Sequence, residues 1–467
     1  MRPLDGRPTV LAMTDLQSRL EAVLAEHRVP GATLGVLDGD EVTVYAAGIA
    51  NQNTGVEVTE DTLFQIGSIT KVWTATLVMM LVDEGVLDLD APVVSYLPEF
   101  KVADAQVTAT VTLRDLLSHR SGIGGDHILD TGRGDDVLER YLETCAELGQ
   151  EHDLGATMSY CNTGFSVAGR VLEKVTGKVW DQLLRERLIA PLGLTHTNTL
   201  PEEAILFRAA VGHVDAPDGG QQVAPMWVLP RSAGPAGLIN ARAADVLTFA
   251  RFHLDEGRAP DGTQLLSPGA VKQMQEPQID IPDRFTLGDQ WGIGWILFGW
   301  DGHRGYGHDG STLGQRAYLR VLPESRLAVT LLTNGGSSFE AFRALVTEIA
   351  KERAGVDVPP WPTLPDTAPT LDLSKYAGHF GRLNVDIELR VDGDHLVGEI
   401  KQSGPLAEAL PERDRAEQVE ARPIDREVFL LSGASLPTTM PLVFFDFDGD
   451  GVPKRFHMGA RAMTRRS

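Results

Sequence analysis

The stretch "FQIGSITKVWTATLVMMLVDEG" (residues 64–85) narrows the folds open to this chain more than any other. After Ser68 the apolar residues Val72, Trp73, Ala75, Leu77, Val78, Met79, Leu81 and Val82 cover nearly the whole circumference of a helix. A helix that is apolar on every side has to be buried on every side. It therefore predicts a central helix inside a domain large enough to wrap it. The 467 residues suffice for two or three domains with such a core. With 42% apolar and 23% charged residues, the composition is that of a globular protein and excludes a wholly disordered or coiled-coil chain.

The flanking patterns give the organisation. Leu16, Leu20, Val23 and Leu24 recur at helical spacing and predict an amphipathic helix over 14–28. Two apolar runs around Asp38-Gly39-Asp40 predict a β-hairpin over 31–51. Residues 85–275 read as mixed and mostly helical. Strands return in "WGIGWILFGW", "GQRAYLRVLPE" and "LAVTLLTN", the first two parted by the turn pair Asp301-Gly302. A helix over 337–355 closes the region. The Pro-rich segment 356–371 predicts an extended, semi-rigid linker. Beyond it Val385, Ile387, Leu389 and Val391 alternate with polar residues, so 372–467 reads as a small all-β domain, a barrel or sandwich.

Net charge is −23. Such a chain repels phosphate backbones and anionic headgroups, so neither nucleic acid nor membrane is an expected partner. Oligomeric state is left open. Cys145 and Cys161 are too few for a disulfide framework and read as buried free thiols of a reducing compartment. The first 24 residues lack an apolar core and cleavage pattern of a signal peptide, and Met13 is an alternative start. No apolar run approaches the roughly 18 residues of a membrane span. The expectation is a cytoplasmic protein.

Three constellations carry chemistry. Ser68 and Lys71 lie one helical turn apart on one face. At a helix start, unpaired N–H groups and the helix dipole favour a developing oxyanion. A lysine stripped of water shifts toward the neutral amine and can take a serine proton. The same spacing also arises at an ordinary Ser-capped helix start; what favours catalysis is the apolar helix that follows, which puts Lys71 out of solvent. Second, "MSYCNTG" places Tyr160 two residues before Asn162. A phenol near a lysine can shuttle protons, and an amide can hold that lysine and a substrate carbonyl; a polar loop before a helix is the plainer reading. Third, "GHDGST" places His308, Asp309, Gly310 and Ser311 where the edge of the main sheet is expected. There Gly310 admits substrate to the backbone and the Ser311 N–H can face an oxyanion. His303 and His379 also precede a Gly by two, but in a hairpin turn and in the C-terminal domain.

Ser-x-x-Lys, Tyr-x-Asn and His-x-Gly in this order, about 90 and 150 residues apart, resemble the serine β-lactamase and penicillin-binding-protein superfamily. The branch resembled holds class C β-lactamases, D-alanyl-D-alanine carboxypeptidases, D-aminopeptidases and esterases. "LLSHRSGI", "GPAGLINARAADVLTFA" and "LAVTLLTNGG" fit it as well. The resemblance covers 14–355 and implies an α+β fold, an antiparallel sheet flanked by helices with a helical subdomain. Residues 372–467 resemble the lipocalin-like barrel domains of some members. The resemblance implies that Ser68 is acylated, that Lys71 and Tyr160 share the proton transfers, that Asn162 orients Lys71 and substrate, that His308 lines the site with Asp309 and Gly310 near substrate, and that the Ser68 and Ser311 N–H groups form the oxyanion hole. It implies no cofactor and no metal. The third motif departs from the family's Lys-Thr-Gly, and a neutral His beside an acidic Asp309 should weaken the hold on a β-lactam carboxylate. Tyr-Cys-Asn likewise departs from the Ser-Asp-Asn of class A enzymes.

"DFDGDG" (446–451) imitates a calcium loop, but Lys454 and His457 stand where ligands belong, so a β-turn is expected. "GGDHILDTGRGDD" (124–136) lacks metal-ligand spacing and reads as a flexible loop over the site. "SHRSGIGGD" follows a helix, not the strand a phosphate loop needs. The function expected is a serine hydrolase acting on small esters, amides or D-residue peptides, with weak β-lactamase activity. The alternatives are an acyltransferase or peptide cyclase that uses the same residues, and a non-catalytic penicillin-binding or sensor protein.

Overall fold

The computed structural model describes residues 10–216, 219–227, 229–404, 407, 415–433 and 439–466. Part of the N-terminal segment read for a targeting signal lies outside them. The predicted N-terminal helix spans Val10–Glu26, and the hairpin strands are Gly31–Asp38 and Glu41–Asn51. Among the described residues nine strands form one antiparallel sheet. The first hairpin joins the late strands by pairing Gly31–Asp38 with Leu327–Thr333, Leu34 opposite Leu331. Next to Leu327–Thr333 follow Arg316–Leu322, His303–Ser311 and Ile296–Trp300. Strands from both ends of the region thus close one sheet around an intervening, mainly helical segment.

Side-chain alternation along these strands feeds two cores. On one face Leu34, Val36, Val329 and Leu331 pack with Leu20 and Val23 of the first helix and with Phe342, Leu345 and Ile349 of the helix Ser338–Ala354. On the other face Ala328, Leu332 and Leu319 meet Trp73, Phe249 and the helical segment. The apolar helix spans Thr70–Asp83, and every residue from Thr70 to Leu81 is buried. Trp73 stacks on Phe249, with ring centroids 4.0 Å apart.

"WGIGWILFGW" is two strands rather than one, Gln290–Trp291 and Ile296–Trp300. Between them Gly294 adopts φ +78°, and a Cβ there would fall 2.6 Å from Ala75 Cβ of the central helix. The chain bends to let that helix in. Asp301-Gly302 forms the two-residue turn between Trp300 and His303, with φ of 49° and 81°.

Among the described residues eight C-terminal strands close an antiparallel barrel, from Gly378–Arg382 to Arg461–Arg465. Phe380 pairs with Arg465 to shut it. Its interior is filled by Phe380, Phe429, Phe444 and Phe456, all fully buried, so it is a packed core. In "DFDGDG", Asp448 accepts from the Asp450 and Val452 amides, and Asp446 pairs with Lys454. This is the expected turn between two strands.

The barrel is docked on the first domain. The Tyr160 N–H donates to the Ala460 carbonyl (2.9 Å), Ala462 N–H donates to Ser159 Oγ (3.2 Å), and Thr464 Oγ1 donates to the Glu151 carbonyl (2.7 Å). The linker packs as well, with Trp361 Nε1 donating to the Thr439 carbonyl (3.0 Å) and its ring 4.9 Å from that of Phe339. No helix among the described residues is long and apolar enough to cross a membrane.

Candidate active site

Ser68 sits in the single turn Gly67–Ile69 that leads into the Thr70–Asp83 helix. Lys71, one turn on, has 0% relative exposure. Its Nζ lies 2.9 Å from Ser68 Oγ, 2.8 Å from Asn162 Oδ1 and 2.7 Å from the Ala236 carbonyl oxygen. Burial, reinforced by the nearby Arg461 guanidinium, holds this amine well below the usual lysine range, against the opposing pull of Asp126 and Cys161. A neutral amine has two hydrogens and one lone pair. With the hydrogens given to Asn162 Oδ1 and Ala236 O, the lone pair is left for Ser68 Oγ.

Tyr160 ends the loop before the helix Asn162–Thr176, whose first residue is Asn162. Burial pushes the phenol up from the ordinary tyrosine value, against the opposing pull of the neighbouring Ser68 hydroxyl and of Arg461. A phenol beside a lysine is expected to ionise more easily, but here burial of the ring works the other way and prevails. His119 stacks on the Tyr160 ring at 4.2 Å, and Lys71 Nζ and the Arg461 guanidinium each lie 4.8 Å from its centroid. His119 is itself buried, at φ 58°, and accepts the Cys161 N–H on Nδ1 (2.9 Å). Cys161 is buried and free, its thiol pushed up to about 12 by burial; it donates to the Ile123 carbonyl (3.5 Å) and caps the helix by accepting the Gly164 N–H (3.3 Å).

The sequence predicts His308 at a sheet edge, but its strand has neighbours on both sides. The correction is local. Pairing with Ile296–Trp300 stops at Gly307, so His308 to Ser311 are paired on one side only, and their free side faces the Ser68 turn. A Cβ on Gly310 would fall 1.9 Å from the Ile66 carbonyl oxygen and 3.1 Å from the Ser68 nitrogen; one on Gly67 would fall 2.5 Å from the Ser311 nitrogen. Gly310 against the Ile66–Ser68 backbone and Gly67 against Ser311 therefore bring the Ser68 and Ser311 amides close together. His308 Nδ1 donates to the Asp309 carbonyl (2.6 Å), which leaves Nε2 as the acceptor, buried and without a partner. Burial, then Lys71, hold its imidazole down at about 3. The Asp309 carboxylate is paired with Arg320 of the next strand (Nη2–Oδ2 3.2 Å), a partner the sequence did not reveal, which offsets part of its charge.

The loop 124–136 does border the site, but it is not loose at Asp126. The Asp126 carboxylate accepts from Asn162 Nδ2 (3.0 Å), Arg382 Nη1 (2.7 Å), and Arg461 Nε and Nη2 (3.1 and 3.0 Å). Burial alone would raise its pKa, but Arg461 and Arg382 hold it well below the usual carboxylate range. Both arginines come from the barrel. Together the two domains line a cavity of about 780 Å³ that holds Ser68, Tyr160, His308 and Arg461. The sequence reading found Ser68, Lys71, Tyr160, Asn162, His308, Asp309, Gly310 and Ser311, and the structure brings all eight together. It missed Asp126, His119, Arg382, Arg461 and the Ala236 carbonyl. His119 lay in a stretch already matched to the family; the others carry no local signal. Among the described residues no group of three or more His, Cys, Asp or Glu side chains is placed to hold a metal ion.

A sheet of this topology with a buried Ser-Lys-Tyr cluster at a helix start defines the penicillin-binding-protein-like serine hydrolases. The Beta-lactamase family model matches residues 16–353, and the chain belongs to that family. It is 48% identical over 368 residues to penicillin-binding protein 4 of Amycolatopsis lactamdurans, covering 78% of this chain and 97% of that protein. Among solved structures, SurE with D-Leu superposes at TM-score 0.77 with 28% identity, over 98% of this chain and 100% of that one. D-amino acid amidase from Ochrobactrum anthropi SV3, complexed with D-phenylalanine, gives TM-score 0.58 and 26% identity over 70% of this chain and 94% of that one.

Proposed function

We propose that this chain hydrolyses small amides, esters or short peptides with a D-residue on the acyl side, through an acyl-Ser68 intermediate. The observation that carries the reading is the fully buried Lys71 amine, whose lone pair is left for Ser68 Oγ by its contacts to Asn162 and Ala236. The opposite pKa displacements of Lys71 and Tyr160 divide the roles. Lys71 takes the Ser68 proton as Oγ bonds to the substrate carbonyl carbon. The carbonyl oxygen becomes an oxyanion between the Ser68 and Ser311 N–H groups. Tyr160, refilled from Lys71, gives a proton to the leaving nitrogen or oxygen as its bond to the acyl carbon breaks. Water then adds by the same route in reverse and restores Ser68. His308 forms a wall of the site and accepts through Nε2.

The D-preference is supported by two relatives of similar fold, one solved with D-Leu and one that is a D-amino acid amidase. The test is hydrolysis of D- and L-alanine p-nitroanilide, side by side, by wild type and Ser68→Ala. Faster release from the D-form by wild type alone is expected. L-preference overturns the substrate assignment, and equal release by Ser68→Ala overturns the mechanism.

A cavity of about 780 Å³ is larger than a single amino-acyl group requires and continues under the barrel past Asn384 and Gln402. This room favours, as a second reading, transfer of the acyl group to an amine or alcohol. Product analysis with added amines separates the two, and water as sole acceptor removes the second.

A further inference from the structure

We propose that Asp126, clamped by Arg382 and Arg461 of the barrel, is a positioning residue that fixes the Asn162 amide toward Lys71, so that the acylation site is shared by both domains. The inference rests on the reading of Ser68 as the acylated nucleophile.

An asparagine amide has two ends of similar shape and opposite polarity. At Asn162 the nitrogen donates to Asp126 Oδ1 (3.0 Å) and the oxygen faces Lys71 Nζ (2.8 Å). Turned over, the oxygen would meet a carboxylate and the NH₂ group the Lys71 hydrogens. Asp126 therefore decides which end Lys71 sees. Asp126 in turn is saturated. Its oxygens accept four hydrogen bonds, three of them from guanidinium groups. Its side chain is only 16% exposed, and a carboxylate this enclosed is costly to keep without partners for its charge.

The charges facing Lys71 come from several segments. Arg382 and Arg461 supply two positive charges and Asp126 one negative. Glu151, which accepts from Leu383 N–H and Ser159 Oγ (3.2 Å each), is moved toward its neutral form by burial. His119 and His308 are depressed, and Tyr160 and Cys161 are raised, each by burial first. Burial works most strongly against the ammonium form of Lys71, and Arg461, over the Tyr160 ring, adds to it, while Asp126 and Cys161 favour that form.

The test uses the full chain as wild type, Asp126→Ala, Arg461→Gln and Arg461→Lys. The readout is the rate of Ser68 acylation by a p-nitrophenyl ester across pH 5–9, with circular dichroism to establish folding. Asp126→Ala should acylate roughly 10²-fold more slowly, as expected for a misplaced catalytic group. Arg461→Gln should move the acidic limb of the profile up by about one pH unit, while Arg461→Lys, which keeps the charge, should return it toward wild type. A role in mere stability would lower rates without moving the limb. The proposal is overturned if folded Asp126→Ala and Arg461→Gln acylate at the wild-type rate with an unmoved limb. If Asp126→Ala fails to fold, the Gln and Lys variants of Arg461 decide alone through the limb. If wild type is acylated elsewhere than Ser68, the functional reading itself has failed, and the mass of the labelled peptide tells the two failures apart.

Discussion

Gly310→Ala tests the oxyanion site with one methyl group. The strand His303–Ser311 crosses the Ser68 turn so closely that the new Cβ would fall 1.9 Å from the Ile66 carbonyl oxygen, where ordinary contact begins at 3.4 Å. Ile66 O is backbone and the new Cβ is fixed to the strand, so the strand end has to retreat by about 1.5 Å, the difference between those two distances. A donor N–H moved that far leaves hydrogen-bond range of an oxyanion held by Ser68 N–H. Loss of one such donor costs about 10²–10³ in kcat, or about 2.7–4 kcal/mol. Overpacking itself costs about 1–3 kcal/mol of stability, which leaves a folded protein if wild type has an ordinary margin. The assay is steady-state hydrolysis of a p-nitrophenyl ester, with urea unfolding of both proteins for comparison. A folded Gly310→Ala enzyme with kcat within about threefold of wild type, under 1 kcal/mol, would refute the claim that the contact of Gly310 with the Ser68 turn builds the oxyanion site.

Two further outcomes follow from the buried groups. His253, His308 and His457 are buried and held down at about 3, chiefly by burial. Their neutral forms contribute stability that is complete above the unfolded value of about 6.5 and is lost as pH falls toward 3, at up to about 1.4 kcal/mol per pH unit for each. The urea midpoint should therefore drop steeply between pH 6.5 and 5, and an unchanged midpoint would contradict their burial as neutral groups. Cys161→Ser should retain activity within about tenfold, since the thiol is not ionised and Ser caps a helix at least as well; a loss above roughly 10³-fold in kcat/KM would make the thiol part of the chemistry.

How far the sequence reaches depends on whether a feature is written locally. The Thr70–Asp83 helix, the first hairpin and the alternation over 385–391 are short-range patterns, and they emerge as read. Ser68 with Lys71, and Tyr160 with Asn162, share a turn, so their spacing is itself the signal. Arg382 and Arg461 reach Asp126 across 256 and 335 residues. Nothing near them in the chain marks them among other arginines of a β domain. Ala236 acts through its backbone oxygen, which any residue supplies. Asp126 looked like one acid in a polar loop because its partners lie in another domain. The same distance explains Tyr160, whose neighbours in sequence gave no sign that the barrel would cover it and dry its ring.

Ser68 Oγ is the atom proposed to take the acyl group. Wild type and Ser68→Ala would each be mixed with a p-nitrophenyl ester and, separately, a penicillin, quenched in acid, and their intact and peptide masses recorded. A gain of one acyl mass is expected in wild type only, on the peptide that contains Ser68. A gain on another residue, an equal gain in Ser68→Ala, or nitrophenol release without need of Ser68 would contradict it.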